Sequence, residues 1–282
     1  MKAKDYRTTL EPVWCTGCGD FGVLKALTQA LSDLEVPVEK LAVISGIGCS
    51  SRLPGYVRSY AFNSVHGRAL PIATGLKLAR PEMTTVVVGG DGDGFSIGLG
   101  HIPHCVRRDV DLTYAVLDNG IYGLTKGQAS PTTDPDLKRE LGLAGATERP
   151  LNPVLMLLGS GCGFVARTHA GNMPHLRAMF REAIRHPGFA FVHVLAACVT
   201  YQPGSYAESL WKRCTMIPDE YDPANFEKAV EMARAERFML GVLYRRPADQ
   251  KPATAGPEAA EGTENVGIWP PVGAISESAF PV

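Results

Sequence analysis

Short apolar runs alternate with segments of helical periodicity along the chain, and this alternation predicts an α/β fold. The fold class that we expect is a mostly parallel sheet flanked by helices. Buried strands are predicted where apolar and β-branched residues run together between turn signals, at 41–45, 85–88, 112–117, 164–168, 189–195 and 238–244.

Helices are predicted between these strands. Asp20 is expected to cap a helix whose apolar positions recur at helical spacing. Small residues dominate 69–79, which predicts a helix that packs closely against its neighbours. The remaining helices are predicted over 96–108, between 168 and 189, and from a start at Asp222 and Pro223.

Two segments lack helical or strand periodicity. Residues 131–152 are polar and interrupted by prolines, and we interpret them as a long loop that acts as a lid or contacts a partner. From residue 247 the composition shifts, because six of the 21 prolines fall in the last 36 residues. We therefore predict a folded domain over 1–246 and a tail over 247–282, either an arm on another surface or a floppy appendage.

Composition narrows the class of protein. The 282 residues are 45% hydrophobic and 20% charged, enough to fill a sizeable core. A net charge of -1 gives no electrostatic reason to expect nucleic acid or an anionic membrane as a partner. The polar start MKAKDYRTTL has no apolar core of a signal peptide, and no run is long enough to span a membrane. We therefore expect a cytoplasmic protein.

Chemically capable residues follow four of the predicted strands. Cys49, Asp91, Asn119 and Cys198 each come shortly after a strand ends. In an open parallel sheet, ligands bind beyond the carboxyl ends of the strands. The sequence therefore predicts a site at that edge of the sheet.

Asp91 and Asn119 are candidates for a divalent cation site. Asp91 lies in a Gly-Asp-Gly turn and Asn119 in an Asp-Asn-Gly turn. Mg²⁺ prefers oxygen ligands and keeps phosphate oxygens in its shell, and glycines allow backbone N–H groups to approach phosphates. Taken alone, a Gly-Asp-Gly string is a common turn, and the further ligands of an EF-hand are absent.

The longer sequence segments around these turns resemble those of a known family. The Gly-Asp-Gly and Asn-containing turns look like the motif of thiamine-diphosphate enzymes. The strings GIGCSS, VHGRALPIATGLKLA, GGDGDGFSIG and LDNGIYGLTKGQASPT resemble the β subunit of 2-oxoacid:ferredoxin oxidoreductases. The likeness runs from Trp14 to about Cys198.

The resemblance implies cofactors, partners and a reaction. Domain 1–246 would bind thiamine diphosphate, Mg²⁺ and a [4Fe–4S] cluster. The enzyme would oxidise a 2-oxoacid with coenzyme A to an acyl-CoA and CO2, and pass electrons to ferredoxin. The string YGLTKGQ resembles versions that act on 2-oxoglutarate or on 2-oxoacids broadly.

The resemblance also implies site residues. Without it, His66 would be interpreted as a core or helix-start histidine; with it, His66 contacts cofactor or substrate. Lys126 is a cation beside the metal turn, and two interpretations stay open for it: a solvated lysine, or a residue that binds an anion of the substrate or of coenzyme A. Mg²⁺ is assigned to Asp91, Asn119 and the backbone carbonyl of Ile121. Further cofactor contacts are assigned to Ile47, Gly48, Cys49, Ser50, Gly92, Asp93, Gly123 and Leu124.

Four of the seven cysteines are candidate metal ligands. Cys15 and Cys18 form a CxxC pair, and together with Cys49 and Cys198 they can hold a [4Fe–4S] cluster or a structural zinc. The resemblance assigns the cluster to these four. The others, Cys105, Cys162 and Cys214, are expected to be free thiols, with Cys162 at the opposite edge of the sheet.

One part of a thiamine-dependent site is missing from the predicted sheet. Such enzymes need a carboxylate that activates the aminopyrimidine, carried on a second, similar domain. We therefore expect an obligate α subunit, in a heterodimer. Two alternatives remain open: a non-redox thiamine-dependent decarboxylase or carboligase subunit, and a noncatalytic interaction subunit stapled by zinc.

Overall fold

The computed structural model describes residues 1–140, 142, 148–247 and 250. The predicted tail over 247–282 thus lies almost entirely outside the described residues, and so does part of the predicted loop over 131–152. Within the described part of the chain, no helix has the length and apolar character needed to cross a membrane.

The architecture is a sheet of eight strands with helices on both faces. The strands are β1 (Leu41–Ser45), β2 (Tyr60–Asn63), β3 (Thr84–Gly90), β4 (Leu112–Asp118), β7 (Phe164–His169), β8 (Phe189–Leu195), β9 (Cys214–Met216) and β10 (Phe238–Arg245), and β5 (Ile121–Tyr122) and β6 (Gln128–Ala129) form a separate hairpin. The helices are α1 (Gly19–Asp33), α2 (Ala69–Ala79), α3 (Ile102–Arg107), α4 (Pro135–Glu140), α5 (Pro153–Gly159), α6 (Met173–Arg185), α7 (Tyr206–Lys212) and α8 (Phe226–Arg234).

The strand order is β2-β1-β3-β4-β8-β7-β10-β9. Within the described sheet every neighbouring pair is parallel except β7 and β10, which run antiparallel. The expected mostly parallel α/β sheet is therefore confirmed. All six predicted strands are present, with ends that differ by at most two residues.

The core has two layers, one on each face of the sheet. Helices α1 and α6 bury Leu27 and Phe180 against one face, and α2, α3 and α5 bury residues such as Ile102 against the other. Because both faces are covered, the central strands are mostly apolar, and β4 and β8 are buried at every position. This packing leaves the carboxyl ends of β1, β3, β4 and β8 at one edge, which we call the carboxyl edge.

Two predicted helix starts were wrong. Asp20 does not cap α1, because Cys18 occupies the N-cap position and Asp20 is buried in the first turn. The helix α8 does not begin at Asp222 and Pro223. It begins at Phe226, where the Asn225 side chain accepts a hydrogen bond from the Lys228 amide at 2.9 Å. The residue that caps α8 is therefore Asn225, three positions after the predicted Asp222.

The helix predicted over 96–108 is broken into three pieces. A π-helical turn spans Asp93–Ile97, a 3-10 turn spans Leu99–His101, and only Ile102–Arg107 is α-helical. The backbone leaves helical geometry at Ser96, where φ is -101° and ψ is -105°. Gly98 then lets the chain pack closely, because a Cβ there would lie 2.5 Å from the Asp93 carbonyl oxygen and 3.2 Å from Gly67. The segment predicted as a loop over 131–152 contains α4.

Candidate active site

A cleft of about 360 Å³ opens at the carboxyl edge. Its walls are the loops that follow β1, β3, β4 and β8, together with the segment before α1. The predicted site residues that line it are Cys15, Cys18, Ile47, Gly48, Cys49, Ser50, His66, Asp91, Gly92, Asp93, Asn119, Ile121, Gly123, Leu124 and Cys198. Lys126 is the exception: it is exposed in the turn beyond Gly123 and does not line the cleft.

Asp91 is buried directly after the end of β3. It is 2% exposed, and its Oδ1 accepts a hydrogen bond from the Asn119 amide at 3.3 Å. The Asn119 side-chain oxygen accepts in turn from the Ile121 amide at 3.0 Å, which folds this loop into a tight turn. The three groups predicted to hold Mg²⁺ are therefore contiguous in space.

Two carboxyl groups share this buried edge. The Thr132 hydroxyl oxygen lies 2.7 Å from Asp118 Oδ1 and 3.2 Å from Asp91 Oδ2, so it bridges them. Burial, and then the charge of Asp118, raise the pKa of Asp91. A divalent cation would offset both effects, and carboxylate, amide and carbonyl oxygens are ligands that Mg²⁺ prefers. The residues present therefore fit this ion.

Behind Asp118 the sheet carries two more polar side chains. His193 on β8 donates from Nε2 to Asp118 Oδ2 at 2.8 Å, because its Nδ1 accepts from Arg167 Nε on β7 at 3.2 Å. Both are almost fully buried. A continuous set of hydrogen bonds therefore links Arg167 to Asp118 and, through Thr132, to Asp91.

Glycines let the loops meet at contact distance. A Cβ on Gly92 would lie 2.3 Å from the Tyr122 ring, and the Tyr122 hydroxyl donates to the Gly92 carbonyl at 3.1 Å. A Cβ on Gly46 would lie 1.9 Å from Asp93 Oδ2. No other residue type fits these positions without displacing the loops.

The Asp93 side chain forms its hydrogen bonds with other residues of the protein. Its Oδ1 accepts from the Ile47 amide at 2.9 Å and from the Gly67 amide at 2.7 Å, and it lies 2.7 Å from His66 Nδ1. Asp93 is only 3% exposed. Only the backbone of Asp93 therefore remains available to contact a cofactor. Its carboxylate fixes the position of the loop that carries His66.

His66 presents its free ring nitrogen to the cleft. A carboxylate that already accepts two amide hydrogen bonds accepts a third from Nδ1–H, and in the neutral imidazole Nε2 is then the acceptor. The side chain is 40% exposed, and its ring lies 6.3 Å from that of Tyr122. The arrangement suits a group that accepts a hydrogen bond from a ligand.

The four candidate cysteines line one wall of the cleft. A Cβ on Gly123 would lie 3.5 Å from Cys198 Sγ and 3.8 Å from Cys49 Sγ, which places these two thiols side by side. Burial and the neighbouring Asp20 raise the pKa of Cys18 to about 12 and the pKa of Cys49 to about 11.

These thiols share a wall without forming a compact set. All four are free, and in the described residues no three Cys, His, Asp or Glu side chains stand close enough to hold a metal ion. Soft thiols collected on one wall are the donor set that iron–sulfur clusters and zinc require. The donor chemistry of the residues present therefore fits such a group.

Three side chains that the sequence did not reveal support the site. Trp14 Nε1 donates to the Cys49 carbonyl at 2.7 Å and packs edge-on against Tyr56, which anchors the CxxC segment. Gln202 accepts from the Cys198 amide at 2.6 Å and donates to the Asn119 carbonyl, so it joins the cysteine loop to the cation loop. Thr132, described above, is the third.

The other cysteines lie elsewhere. Cys105 is buried in α3, and Cys162 is buried before β7, at the opposite edge from Cys198 as predicted. Cys162 Sγ donates to the Phe164 carbonyl at 3.2 Å. Cys214 is half-buried at the start of β9.

Comparisons with known proteins point to the same chemistry. Residues 46–194 match the family described as thiamine pyrophosphate enzyme, C-terminal TPP binding domain, and residues 198–254 match the family described as the C terminal of the pyruvate ferredoxin oxidoreductase beta subunit. The chain is 40% identical over 253 residues to 2-oxoacid:ferredoxin oxidoreductase 2, subunit beta, of Aeropyrum pernix, covering 85% of this chain and 82% of that protein.

Two further relatives name a substrate. The chain is 36% identical over 265 residues to 2-oxoglutarate synthase subunit KorB of Archaeoglobus fulgidus, covering 89% of this chain and 99% of that protein. It superimposes with a TM-score of 0.85 and 42% identity on 2-oxoglutarate:ferredoxin oxidoreductase from Magnetococcus marinus, solved with 2-oxoglutarate, coenzyme A and succinyl-CoA bound. That superposition covers 88% of this chain and 86% of the other.

Proposed function

The chain belongs to the β subunits of the 2-oxoacid:ferredoxin oxidoreductases, and we propose on that premise that, with an α subunit, it oxidises 2-oxoglutarate in the cytoplasm. The overall reaction converts the 2-oxoacid and coenzyme A into an acyl-CoA, CO2 and a proton, and delivers two electrons to ferredoxin. The observation that carries the proposal is that Asp91, Asn119 and the four candidate cysteines line one cleft.

Thiamine diphosphate and Mg²⁺ would occupy the part of the cleft between the loops after β3 and β4. Asp91, the Asn119 side-chain oxygen and the Ile121 carbonyl would hold the metal, and the glycine-lined backbone at Gly92 would face the diphosphate. Bound thiamine diphosphate stabilises the carbanion left when a 2-oxoacid loses CO2. The loops supply binding, orientation and a partly buried setting for that chemistry.

Cys15, Cys18, Cys49 and Cys198 would hold a [4Fe–4S] cluster on the opposite wall. Cys49 is itself in the loop after β1 that reaches the cofactor region, so an electron acceptor bound there would lie beside the carbon that is oxidised. The presence of four thiols in the same cleft as Asp91 and Asn119 favours the redox enzyme over a non-redox decarboxylase, which needs no cluster.

His66 and Lys126 would act on the substrate side. His66, held at Nδ1 by Asp93, would accept a hydrogen bond at Nε2 from substrate or cofactor. Lys126 lies outside the cleft and adopts a positive φ of 81° on an exposed turn, so it would meet an anionic group of substrate or coenzyme A at the rim. The relatives named for 2-oxoglutarate support a dicarboxylic substrate.

The exposed rim of the cleft supports an α subunit as the partner. Four large apolar residues stand 45–65% exposed around the opening: Val13, Ile47, Leu124 and Val199. Apolar side chains grouped at a cleft are typical of a surface that a partner covers. An α subunit seated there would close the cleft and supply the carboxylate that activates the aminopyrimidine.

Anaerobic purification of the full chain tests the cofactor assignment. We expect broad visible absorption that bleaches on reduction, iron and sulfide in equal amounts, and Mg²⁺-dependent binding of thiamine diphosphate in calorimetry. A colourless protein that carries zinc, or one that does not bind thiamine diphosphate, would contradict the proposal.

A further inference from the structure

A second cavity, of about 240 Å³, borders the cleft on the far side of the Asn119 loop. It shares Asn119 and Ala196 with the cleft, but its other walls come from β7, β8, β10, α7 and the segment after α8. None of the residues assigned above to substrate or to the four-cysteine set lines it.

Arg167 is a buried cation on the wall of this cavity. It is 3% exposed, and its Nε donates to His193. Its two terminal nitrogens have no hydrogen-bond partner in the described part of the chain, and its guanidinium lies 5.2 Å from the centre of the Phe238 ring. Burial lowers the pKa of Arg167 to about 10, so it remains charged at neutral pH. The charge of Asp118 favours the protonated guanidinium, and an acceptor that met its terminal nitrogens would lower the cost of burying it further.

The nearby carboxylates are already engaged. Asp118 accepts from His193, from Thr132 and, at 3.0 Å, from the Gly120 amide. Asp134, at the same cavity, forms an ion pair with Arg213 at 2.8 Å. Neither offers an oxygen to the terminal nitrogens of Arg167.

Tyr206 adds a second donor without a partner. It lines the cavity from α7, and its hydroxyl makes no hydrogen bond to any described residue. Burial, and then the charges of Asp118 and Asp134, raise the pKa of Tyr206, so the hydroxyl keeps its proton. Arg213, whose guanidinium lies 4.8 Å from the centre of the Phe238 ring, is a third donor on the same wall.

We propose that this cavity binds a small monovalent oxyanion, a carboxylate or bicarbonate, between the Arg167 guanidinium and the Tyr206 hydroxyl. A planar oxyanion matches the fork of an arginine and would accept from both donors. Two arginines face two aspartates here, so the cavity tolerates one added negative charge better than two. The binding site is separate from the cleft and does not rest on the proposed function.

Calorimetric titration of the full chain with sodium bicarbonate and, separately, with sodium acetate tests the site. Both titrations are run at constant ionic strength in chloride, with thiamine diphosphate and Mg²⁺ present so that the cleft is filled. We expect saturable binding of at least one anion, with a dissociation constant on the order of 1 mM or below. Comparison of the two titrations shows whether the cavity prefers bicarbonate or a carboxylate.

Variants decide where the anion binds. Tyr206→Phe removes one hydroxyl and should weaken binding about threefold to tenfold, and Arg167→Lys should weaken it by more than about tenfold. Arg245→Gln is the matched control, since Arg245 pairs with Glu182 away from the cavity and should bind like wild type. Tyr206 lies outside the cleft and outside the hydrogen-bonded set that reaches Asp91, so thiamine diphosphate affinity measured in the Tyr206→Phe samples reports separately on the proposed function.

Two results would overturn the site. One is the absence of saturable binding of either anion by the wild-type chain. The other is unchanged affinity in a folded Tyr206→Phe variant, with folding verified by its thermal transition.

Discussion

His66 Nδ1 lies 2.7 Å from Asp93 Oδ1, and the same oxygen accepts from the backbone amides of Ile47 and Gly67. One buried carboxylate thus ties together the loop after β1, the loop before α2 and the turn after β3. The contact also fixes which imidazole nitrogen faces the cleft. Asp93 is therefore a positioning residue, and His66 is the group that it presents.

Asp93→Asn should slow the enzyme while leaving it folded. The amide oxygen can still accept from the two backbone amides, but the anion that selects the Nδ1–H tautomer of His66 is lost. In the complex with the α subunit we expect kcat to fall about tenfold or more, with little change in the thermal transition. His66→Gln and the double variant should be slowed to a similar degree, because the two residues act as a unit. An unchanged kcat in Asp93→Asn would refute this role.

Asp91→Ala should abolish Mg²⁺-dependent binding of thiamine diphosphate. The substitution removes a candidate metal ligand and also relieves the buried charge beside Asp118, so the folded protein should persist. Asn119→Ala should behave alike, whereas Ile121→Val, which keeps the backbone carbonyl, is the mild control. Calorimetric titration at saturating Mg²⁺ measures the effect, and an affinity equal to wild type in Asp91→Ala would rule the assignment out.

Cys198→Ser should reduce the iron content, and Cys162→Ser should not. Cys198 lies beside Cys49 on the cleft wall, whereas Cys162 is buried at the other edge of the sheet with its thiol donating to a backbone carbonyl. Iron and acid-labile sulfide are measured in both variants after anaerobic purification. Equal iron in the two proteins would defeat the cluster assignment.

Gly46→Ala should destabilise the fold by about 1–3 kcal/mol, because the new methyl group would lie 1.9 Å from the buried Asp93 carboxylate. Gly75→Ala is the matched control. It lies on an exposed face of α2 where a Cβ meets no atom within 4 Å, and there alanine should stabilise by about 0.5–1 kcal/mol. Urea denaturation of both variants checks the opposite signs, and a neutral Gly46→Ala would show that the loop adapts.

The sheet was readable from sequence because its strands are buried on both faces. β1, β4 and β8 are therefore mostly apolar, and parallel topology then brings the residues after them to one edge. That reasoning located Cys49, Asp91, Asn119 and Cys198. The edge strand β2 was not predicted, because it is only four residues long and its apolar residues, such as Tyr60 and Phe62, are exposed and do not form a buried run.

The hydrogen bonds that support the site could not be predicted from the sequence, because each joins residues far apart in the chain. Thr132 is one polar residue in a polar loop, yet it bridges Asp91 and Asp118. Gln202 joins two loops that approach only after folding. His193 offered a faint signal, as the single imidazole in an otherwise apolar strand, but its partner Asp118 is 75 residues away.

Reconstitution with the α subunit tests the central claim most directly. Reduction of ferredoxin is followed with 2-oxoglutarate and coenzyme A, for the chain alone and for the complex, at matched iron and thiamine diphosphate content. We predict that only the complex reduces ferredoxin, that the reaction requires coenzyme A, and that 2-oxoglutarate is preferred over pyruvate. Turnover by the isolated chain would contradict the shared active site, and a fully loaded complex that oxidises no 2-oxoacid would contradict the account as a whole.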